Sequence, residues 1–209
     1  MKHYRTTLLL LACLAGLGAQ AQEPQILEDE LQPQKWVSKF HSTNHTLRGN
    51  LSLGWITSEV ATPRGKSTWQ QGFGYEVGYR YLSDKGYGFS LDYAHSQTDY
   101  SGGYELGQNS VLASFVYGGH LGEHLLATLE AGLGYANCTD GDQKRQNGLG
   151  TRYAVSLEYQ LSPAFGLGLS MTNQTSVFSK DDDFRAYYND DRANGFSRFS
   201  INMGLRIYL

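Results

Sequence analysis

Apolar and polar residues alternate along most of the chain, and the pattern is clearest over its last eleven residues. From Phe199 to Leu209 every second residue is apolar, and the residues between them include Ser200, Asn202 and Arg206. Successive side chains of a β-strand point to opposite faces, so the alternation predicts a ribbon with one apolar and one polar face. This end of the chain is predicted to be a strand.

The same period of two occurs eight times from residue 46 onward, with turn residues between the runs. The connections alternate between short ones, at 82–86, 119–123 and 160–164, and long ones, at about 57–71, 96–108, 137–148 and 174–194. Short turns on one side and long loops on the other are typical of bacterial barrels that span the outer membrane. The predicted fold class is therefore all-β, an eight-stranded antiparallel up-and-down transmembrane β-barrel.

The N-terminal segment has the composition of a secretion signal. Lys2 and Arg5 precede an apolar run from Leu8 to Leu17, and Ala19-Gln20-Ala21 offers a small-residue cleavage site. We expect residues 1–21 to be a cleaved signal peptide, residues 22–45 to be a polar periplasmic tail, and residues 46–209 to form the barrel domain. Cleavage takes away two positive charges, so the formal net charge changes from −3 to −5. This mildly acidic, unclustered charge does not suggest a nucleic-acid partner.

Alternation alone does not decide which face of the barrel meets lipid, but two features do. All six lysines that follow residue 21 lie outside the eight runs, although a solvated strand would use lysine freely. Aromatic residues of the apolar face also collect at two levels. One level, beside the short turns, contains Tyr81, Tyr87, Tyr117, Tyr159 and Phe165; the other, nearer the long loops, contains Trp55, Phe73, Tyr93, Tyr135 and Tyr153. Two aromatic girdles around an aliphatic waist place lipid outside.

The polar face is then the barrel interior, which is rich in glycine and in opposite charges. Nine charged residues lie on it: Arg48, Glu76, Arg80, Asp92, Glu130, Arg152, Glu158, Arg198 and Arg206. Buried charges need partners, and an eight-stranded barrel is only wide enough to be filled by its own side chains. We interpret these residues as a structural ion-pair network that plugs the interior. A narrow ion-conducting channel is the alternative, since charges inside a membrane protein often mark an ion path.

The C-terminal stretch resembles the assembly signal of outer-membrane barrels through Asn202, Gly204, Ile207 and Leu209. Together with the leader and the girdles, it makes residues 46–209 similar to the small outer-membrane β-barrel family (OmpA/OmpX-like or PorT-like barrels). The resemblance implies a Gram-negative outer-membrane location. It also implies periplasmic chaperones, the barrel-insertion machinery and lipopolysaccharide as partners, and it specifies no activity. We expect a monomeric, non-catalytic protein without cofactor or metal, which contributes to envelope integrity or to surface interaction through its long loops.

Lipid-A-modifying enzymes of the PagP or PagL type are the rival function. His41-Ser42 and His95-Ser96 are adjacent pairs, and adjacent strand residues face opposite sides, so neither pair can join a base to a nucleophile. His120 and His124 flank a short turn and are interpreted as solvated, and Cys138 as a small residue near a loop. The fourth loop has five aspartates between residues 179 and 192 but lacks the spacing of a calcium loop. We interpret it as a hydrophilic outer loop that faces lipopolysaccharide through bridging cations; a recognition surface for an extracellular ligand is the alternative.

Overall fold

The computed structural model describes residues 44–58, 60–62, 65–67, 69–100, 104–140, 145–178 and 194–209. The expectations for the signal peptide, for nearly all of the periplasmic tail and for the fourth loop fall outside these residues. The described residues form ten strands: β1 (His45–Ile56), β2 (Val60–Thr62), β3 (Gly65–Ser67), β4 (Gln70–Leu82), β5 (Tyr87–Tyr100), β6 (Tyr104–His120), β7 (Leu125–Asp140), β8 (Arg145–Gln160), β9 (Phe165–Phe178) and β10 (Asn194–Tyr208).

Eight of these strands close into one barrel in the order β1-β10-β9-β8-β7-β6-β5-β4, and every neighbouring pair is antiparallel. The two remaining strands, β2 and β3, form a small hairpin within the first long connection. Closure through β1 and β10 leaves no open sheet edge, as a membrane-spanning sheet requires. The predicted eight-stranded up-and-down barrel is confirmed.

The register fixes how far the strands are staggered. Trp55 on β1 pairs with Phe199 on β10, and the pairing can be followed from strand to strand around the barrel. The path returns to β1 at His45, ten residues from where it started, so the stagger is ten residues. With eight strands, a stagger of this size goes with a strand tilt of about 40° and leaves an interior that side chains can fill.

The strands extend further toward the long loops than the alternation predicts. β5 and β6 reach Tyr100 and Tyr104, and β7 and β8 reach Asp140 and Arg145, so the second and third connections are much shorter than expected. Outward-facing residues in these extensions, such as Gln97 and Thr139, are polar. The alternation of apolar and polar residues that marks the rest of each strand is therefore lost there. The backbone pairing continues nonetheless, because a ladder of hydrogen bonds does not require an apolar face.

The two faces of the barrel differ as the sequence predicts. The outer surface exposes large apolar side chains along every strand, including Leu51, Phe73, Leu91, Leu133 and Met203. The inner surface buries polar and charged side chains almost completely. Among the described residues, no helix is long and apolar enough to cross a membrane.

Candidate functional site

Most charged residues of the interior lie nearer to the short-turn end of the barrel, and Arg48 is at the centre of one group. Arg48 Nε and Nη2 donate to the two carboxylate oxygens of Asp92 at 2.9 and 2.6 Å. The same guanidinium also holds Glu130: Nη2 donates to Oε2 at 2.9 Å and Nη1 to Oε1. Ser90 Oγ donates to Asp92 Oδ2 at 2.8 Å. One arginine on β1 therefore links β5 to β7 across the interior.

Glu158 on β8 is the centre of a second group. Arg80 donates to both of its oxygens, from Nη1 at 2.8 Å and from Nη2 at 2.6 Å. Arg206 Nε donates to Oε1 at 2.7 Å. All three side chains are at most 1% exposed. Arginine suits this site because its planar fork matches a carboxylate with two parallel bonds.

Arg152 and Asn50 connect these groups to Glu76. Arg152 lies against Glu76, with Nη1 at 2.8 Å from Oε2 and Nη2 at 3.1 Å from Oε1, and its Nη1 is also 3.7 Å from Asp92. Asn50 accepts a hydrogen bond from Arg206 Nη1 at 2.7 Å and donates one to Glu76 Oε1 at 3.1 Å. Eight of the predicted charges thus make one contiguous charge cluster with four positive and four negative members: Arg48, Arg80, Arg152, Arg206, Glu76, Asp92, Glu130 and Glu158.

The ninth predicted charge, Arg198, lies nearer to the long loops. It is paired with Ile56 on β1 and with Gln174 on β9. Its guanidinium donates to Thr98 Oγ1 at 3.1 Å, to Ser200 Oγ at 3.2 Å and to the carbonyl of Gly72 at 3.2 Å. These neutral acceptors hold the cation against three strands of the barrel wall.

A small polar cavity of about 30 Å³ lies between the charge cluster and Arg198. Its lining includes Glu76, Gln108, Ser110, Gln174, Arg198 and Asn202. The buried hydroxyl of Ser110 has no hydrogen-bond partner among the described residues. A polar space of this size holds about two water molecules, which would satisfy that hydroxyl.

An apolar layer closes the interior at the long-loop end, and the sequence reasoning missed it. Its members are Ile56, Leu106, Ala136, Cys138, Phe178 and Phe196. The rings of Phe178 and Phe196 pack with their centroids 5.7 Å apart. The available signal was that apolar residues replace polar ones at inward positions near the loop ends of several strands. Cys138, expected to be a small residue near a loop, is a buried member of this layer.

The residues of the C-terminal assembly motif divide between the two faces of β10. The Asn202 side chain is buried inside, where Nδ2 donates to Ser170 Oγ at 3.1 Å and to Thr172 Oγ1 at 2.8 Å. A Cβ atom on Gly204 would lie 2.6 Å from the Cα atom of Asn50, so only glycine fits there. Ile207 and Leu209 are exposed on the outer surface.

Of the histidines considered for catalysis, His95 has another partner, with Nδ1 2.8 Å from Asn109 Oδ1. His45, which the sequence did not single out, has Nδ1 2.5 Å from the Tyr79 hydroxyl. The His95 side chain contacts Tyr75 and Asn109 on the outward face, and adjacent residues of a strand point to opposite faces, so Ser96 points inward. His41-Ser42 lies outside the described residues. No cluster of metal-ligating side chains occurs among the residues that the structure describes.

A closed barrel with an apolar outer surface and a buried polar interior defines the class as a transmembrane β-barrel. The chain matches the outer membrane protein beta-barrel domain family over residues 9–206 and belongs to that family. It is therefore a β-barrel protein of the bacterial outer membrane, as its sequence predicts.

Several solved structures of outer-membrane proteins are similar to this chain. Neisserial surface protein A is 13% identical, with a TM-score of 0.61 over 80% of this chain and 99% of that one. OprG from Pseudomonas aeruginosa is 11% identical, with a TM-score of 0.47 over 81% and 97% of the two chains. Ail, the attachment invasion locus protein of Yersinia pestis, is 17% identical, with a TM-score of 0.43 over 78% and 99%. Such low identities bear on the fold alone. No curated protein sequence matches the chain.

Proposed function

We propose that the chain is a non-catalytic outer-membrane protein whose plugged interior makes it a structural and surface-contact component of the envelope. The observation that carries the proposal is the charge cluster. Four arginines and four acids from β1, β4, β5, β7, β8 and β10 occupy the interior toward the short turns, and the apolar layer lies at the other end. A cluster with equal numbers of positive and negative members, in which every carboxylate contacts an arginine, has little reason to bind or conduct ions.

Planar-bilayer recordings test the plug. We expect the folded protein to give no large, steady current. A variant with both Glu76→Ala and Arg152→Ala, which removes an interior ion pair whose carboxylate lines the inner cavity, should conduct measurably more. Large steady currents from the unaltered protein would overturn the closed interior and favour the narrow ion channel.

The non-catalytic part of the proposal is supported by the partners of the candidate groups. The interior carboxylates of the cluster contact arginines, and His45 and His95 contact Tyr79 and Asn109. A lipid-A-modifying enzyme needs instead a polar set that converges near the outer leaflet. The purified protein should therefore leave the mass of lipid A unchanged in mixed vesicles. A gain or loss of one acyl chain would establish the enzyme.

Surface interaction belongs to the long loops, above all to the connection at 179–193. It is 15 residues long, whereas the turns on the other side, such as 83–86, have four. We propose that this loop meets lipopolysaccharide or an extracellular ligand. Deleting it should leave folding intact but change adhesion or envelope-stress phenotypes, and unchanged phenotypes would contradict this role.

The remaining parts of the proposal concern biogenesis and assembly. Residues 1–21 would direct secretion and be cleaved, and residues 22–45 would form a periplasmic tail. Periplasmic chaperones and the barrel-insertion machinery would deliver the chain, the latter reading Asn202, Gly204, Ile207 and Leu209. The mature protein would be a monomer, since the closed barrel leaves no edge strand to pair with another copy.

A further inference from the structure

A row of polar side chains interrupts the apolar outer surface of the barrel. Tyr75, His95, Asn109, Asn137 and Asn147 are direct cross-strand neighbours on β4, β5, β6, β7 and β8. Strands lie about 4.8 Å apart, so the row extends over about 19 Å. We call these five residues the amide row.

Hydrogen bonds run along the amide row and leave polar groups at its surface. Asn109 Oδ1 accepts from the Tyr93 hydroxyl at 2.9 Å and faces His95 Nδ1 at 2.8 Å. Asn109 Nδ2 donates to Asn137 Oδ1 at 3.0 Å. Since Asn109 Oδ1 is an acceptor, His95 Nδ1 carries the proton and Nε2 is an acceptor in the neutral ring. Among the described residues, Asn137 Nδ2 has no acceptor, so the row presents both a donor and an acceptor.

A notch lies beside the row on the side of the long loops. Gly107 is the outward residue that follows Asn109 in this direction, between its paired neighbours Gln97 and Thr139. A Cβ atom on Gly107 would meet a single atom within 4 Å, the carbonyl oxygen of Thr139 at 3.7 Å. The missing side chain leaves open space above the amide groups.

The middle of the row, from His95 to Asn137, lies at the level of lipid headgroups. Tyr93 and Tyr135 are each two residues closer to the short turns than His95 and Asn137, and they belong to the aromatic girdle nearer the long loops. Tyrosine girdles mark the boundary between acyl chains and headgroups. The Tyr135 hydroxyl donates to Asn147 Oδ1 at 2.6 Å. Because the strands are tilted, the row is inclined and crosses this boundary: its end at Tyr75 lies on the acyl-chain side and its end at Asn147 lies nearer the long loops.

We infer that the amide row and the Gly107 notch bind the sugar of an outer-leaflet glycolipid. The five side chains are amides, a phenol and an imidazole, and none has a fixed charge, so they suit sugar hydroxyls better than phosphates. The Tyr75 ring, 5.3 Å from that of His95, adds an aromatic surface next to them. The inference rests on the orientation in the proposed function, in which the long loops face outward.

Native mass spectrometry of the folded, detergent-solubilised protein tests the inference. The protein is titrated with lipopolysaccharide of short saccharide chain, with its dephosphorylated form and with phosphatidylglycerol. We expect both glycolipids to bind better than phosphatidylglycerol, also at high salt. Asn109→Leu should weaken glycolipid binding about tenfold, because Asn109 orients both His95 and Asn137, whose outward acceptor and donor would meet the sugar. Gly107→Leu should do the same by filling the notch.

Asn173→Leu is the matched control, because Asn173 is an exposed asparagine of the outer surface on β9, outside the amide row. Equal losses in Asn109→Leu and Asn173→Leu would overturn the inference, as would equal binding of phosphatidylglycerol. Loss of binding on dephosphorylation would assign the contact to phosphate and overturn it as well. The bilayer recordings test the plugged interior independently of glycolipid binding. A result that contradicts the sugar site therefore leaves the proposed function unaffected.

Discussion

At the scale of single residues, the stability of the interior depends on how many partners each buried charge has. Glu158 holds two arginines, Arg80 and Arg206, and no solvent reaches them. A buried ion pair is weak evidence of net stability, because desolvation offsets much of the attraction. Removal of one partner is different, since it leaves the others buried and uncompensated.

Glu158→Gln should lower the free energy of unfolding by about 3 kcal/mol, because two buried guanidinium groups lose their counter-charge. Urea unfolding in lipid vesicles, followed by tryptophan fluorescence, measures the change. Glu105→Gln is the control: Glu105 is exposed and bonds only to Gln97 at 2.9 Å among the described residues, so the change should stay within about 0.5 kcal/mol. Equal effects of the two substitutions would contradict the role of Glu158.

Glycines make room for the same cluster. A Cβ atom on Gly168 would lie 2.7 Å from Arg206 Nε, whereas one on Gly49, which faces outward, would meet nothing within 4 Å. Gly168→Ala should therefore destabilise the barrel by about 1–3 kcal/mol through overpacking, and Gly49→Ala should not destabilise it. The same urea titration compares them, and a neutral Gly168→Ala would mean that Arg206 can move away at no cost.

At the scale of elements, alternation predicted the eight barrel strands and the side on which each residue lies. It could not predict which charges meet, because the period of two is the same for any stagger between strands. Arg48 pairs with Asp92 and Glu130 on two other strands only once the stagger of ten residues is known. The ends of β5 to β8 were also missed, because polar residues occupy both faces beyond the lipid.

The last strand, β10, pairs with β1 and closes the barrel. Its predicted assembly motif implies a second role for this strand, in membrane insertion. Ile207→Gln should slow insertion by the barrel-insertion machinery reconstituted in vesicles, because it removes an apolar position of the motif. Leu205→Gln is the matched control, since Leu205 is on the same face and more exposed, 60% against 40%, but occupies an unspecified position. Insertion is monitored by the shift between boiled and unboiled samples on gels. Equal insertion rates for the two variants would contradict the proposed role of the motif.

At the scale of the whole molecule, the inside is layered. The charge cluster lies toward the short turns, the polar cavity and Arg198 come next, and the apolar layer with Phe178 and Phe196 closes the long-loop end. The sequence predicted the charges as one set of nine, because contacts between charges on different strands depend on the stagger, which alternation does not give. The apolar layer was missed because each of its strands contributes only one or two members to it, at the end nearer the long loops.

The outside has an apolar waist by contrast, and the contact of this waist with lipid makes the strongest whole-molecule prediction. Leu91 is near the middle of the apolar waist and 54% exposed. Leu91→Arg should cost about 2–4 kcal/mol in vesicles, because a cation at the bilayer midplane is expensive even on a barrel surface. In the short turn that follows β8, Leu161 is equally exposed but lies outside the lipid, so Leu161→Arg should cost less than about 0.5 kcal/mol. If Leu91→Arg were as harmless as Leu161→Arg, water rather than lipid would wet the waist, and both the plugged interior and the sugar-binding row would lose their basis.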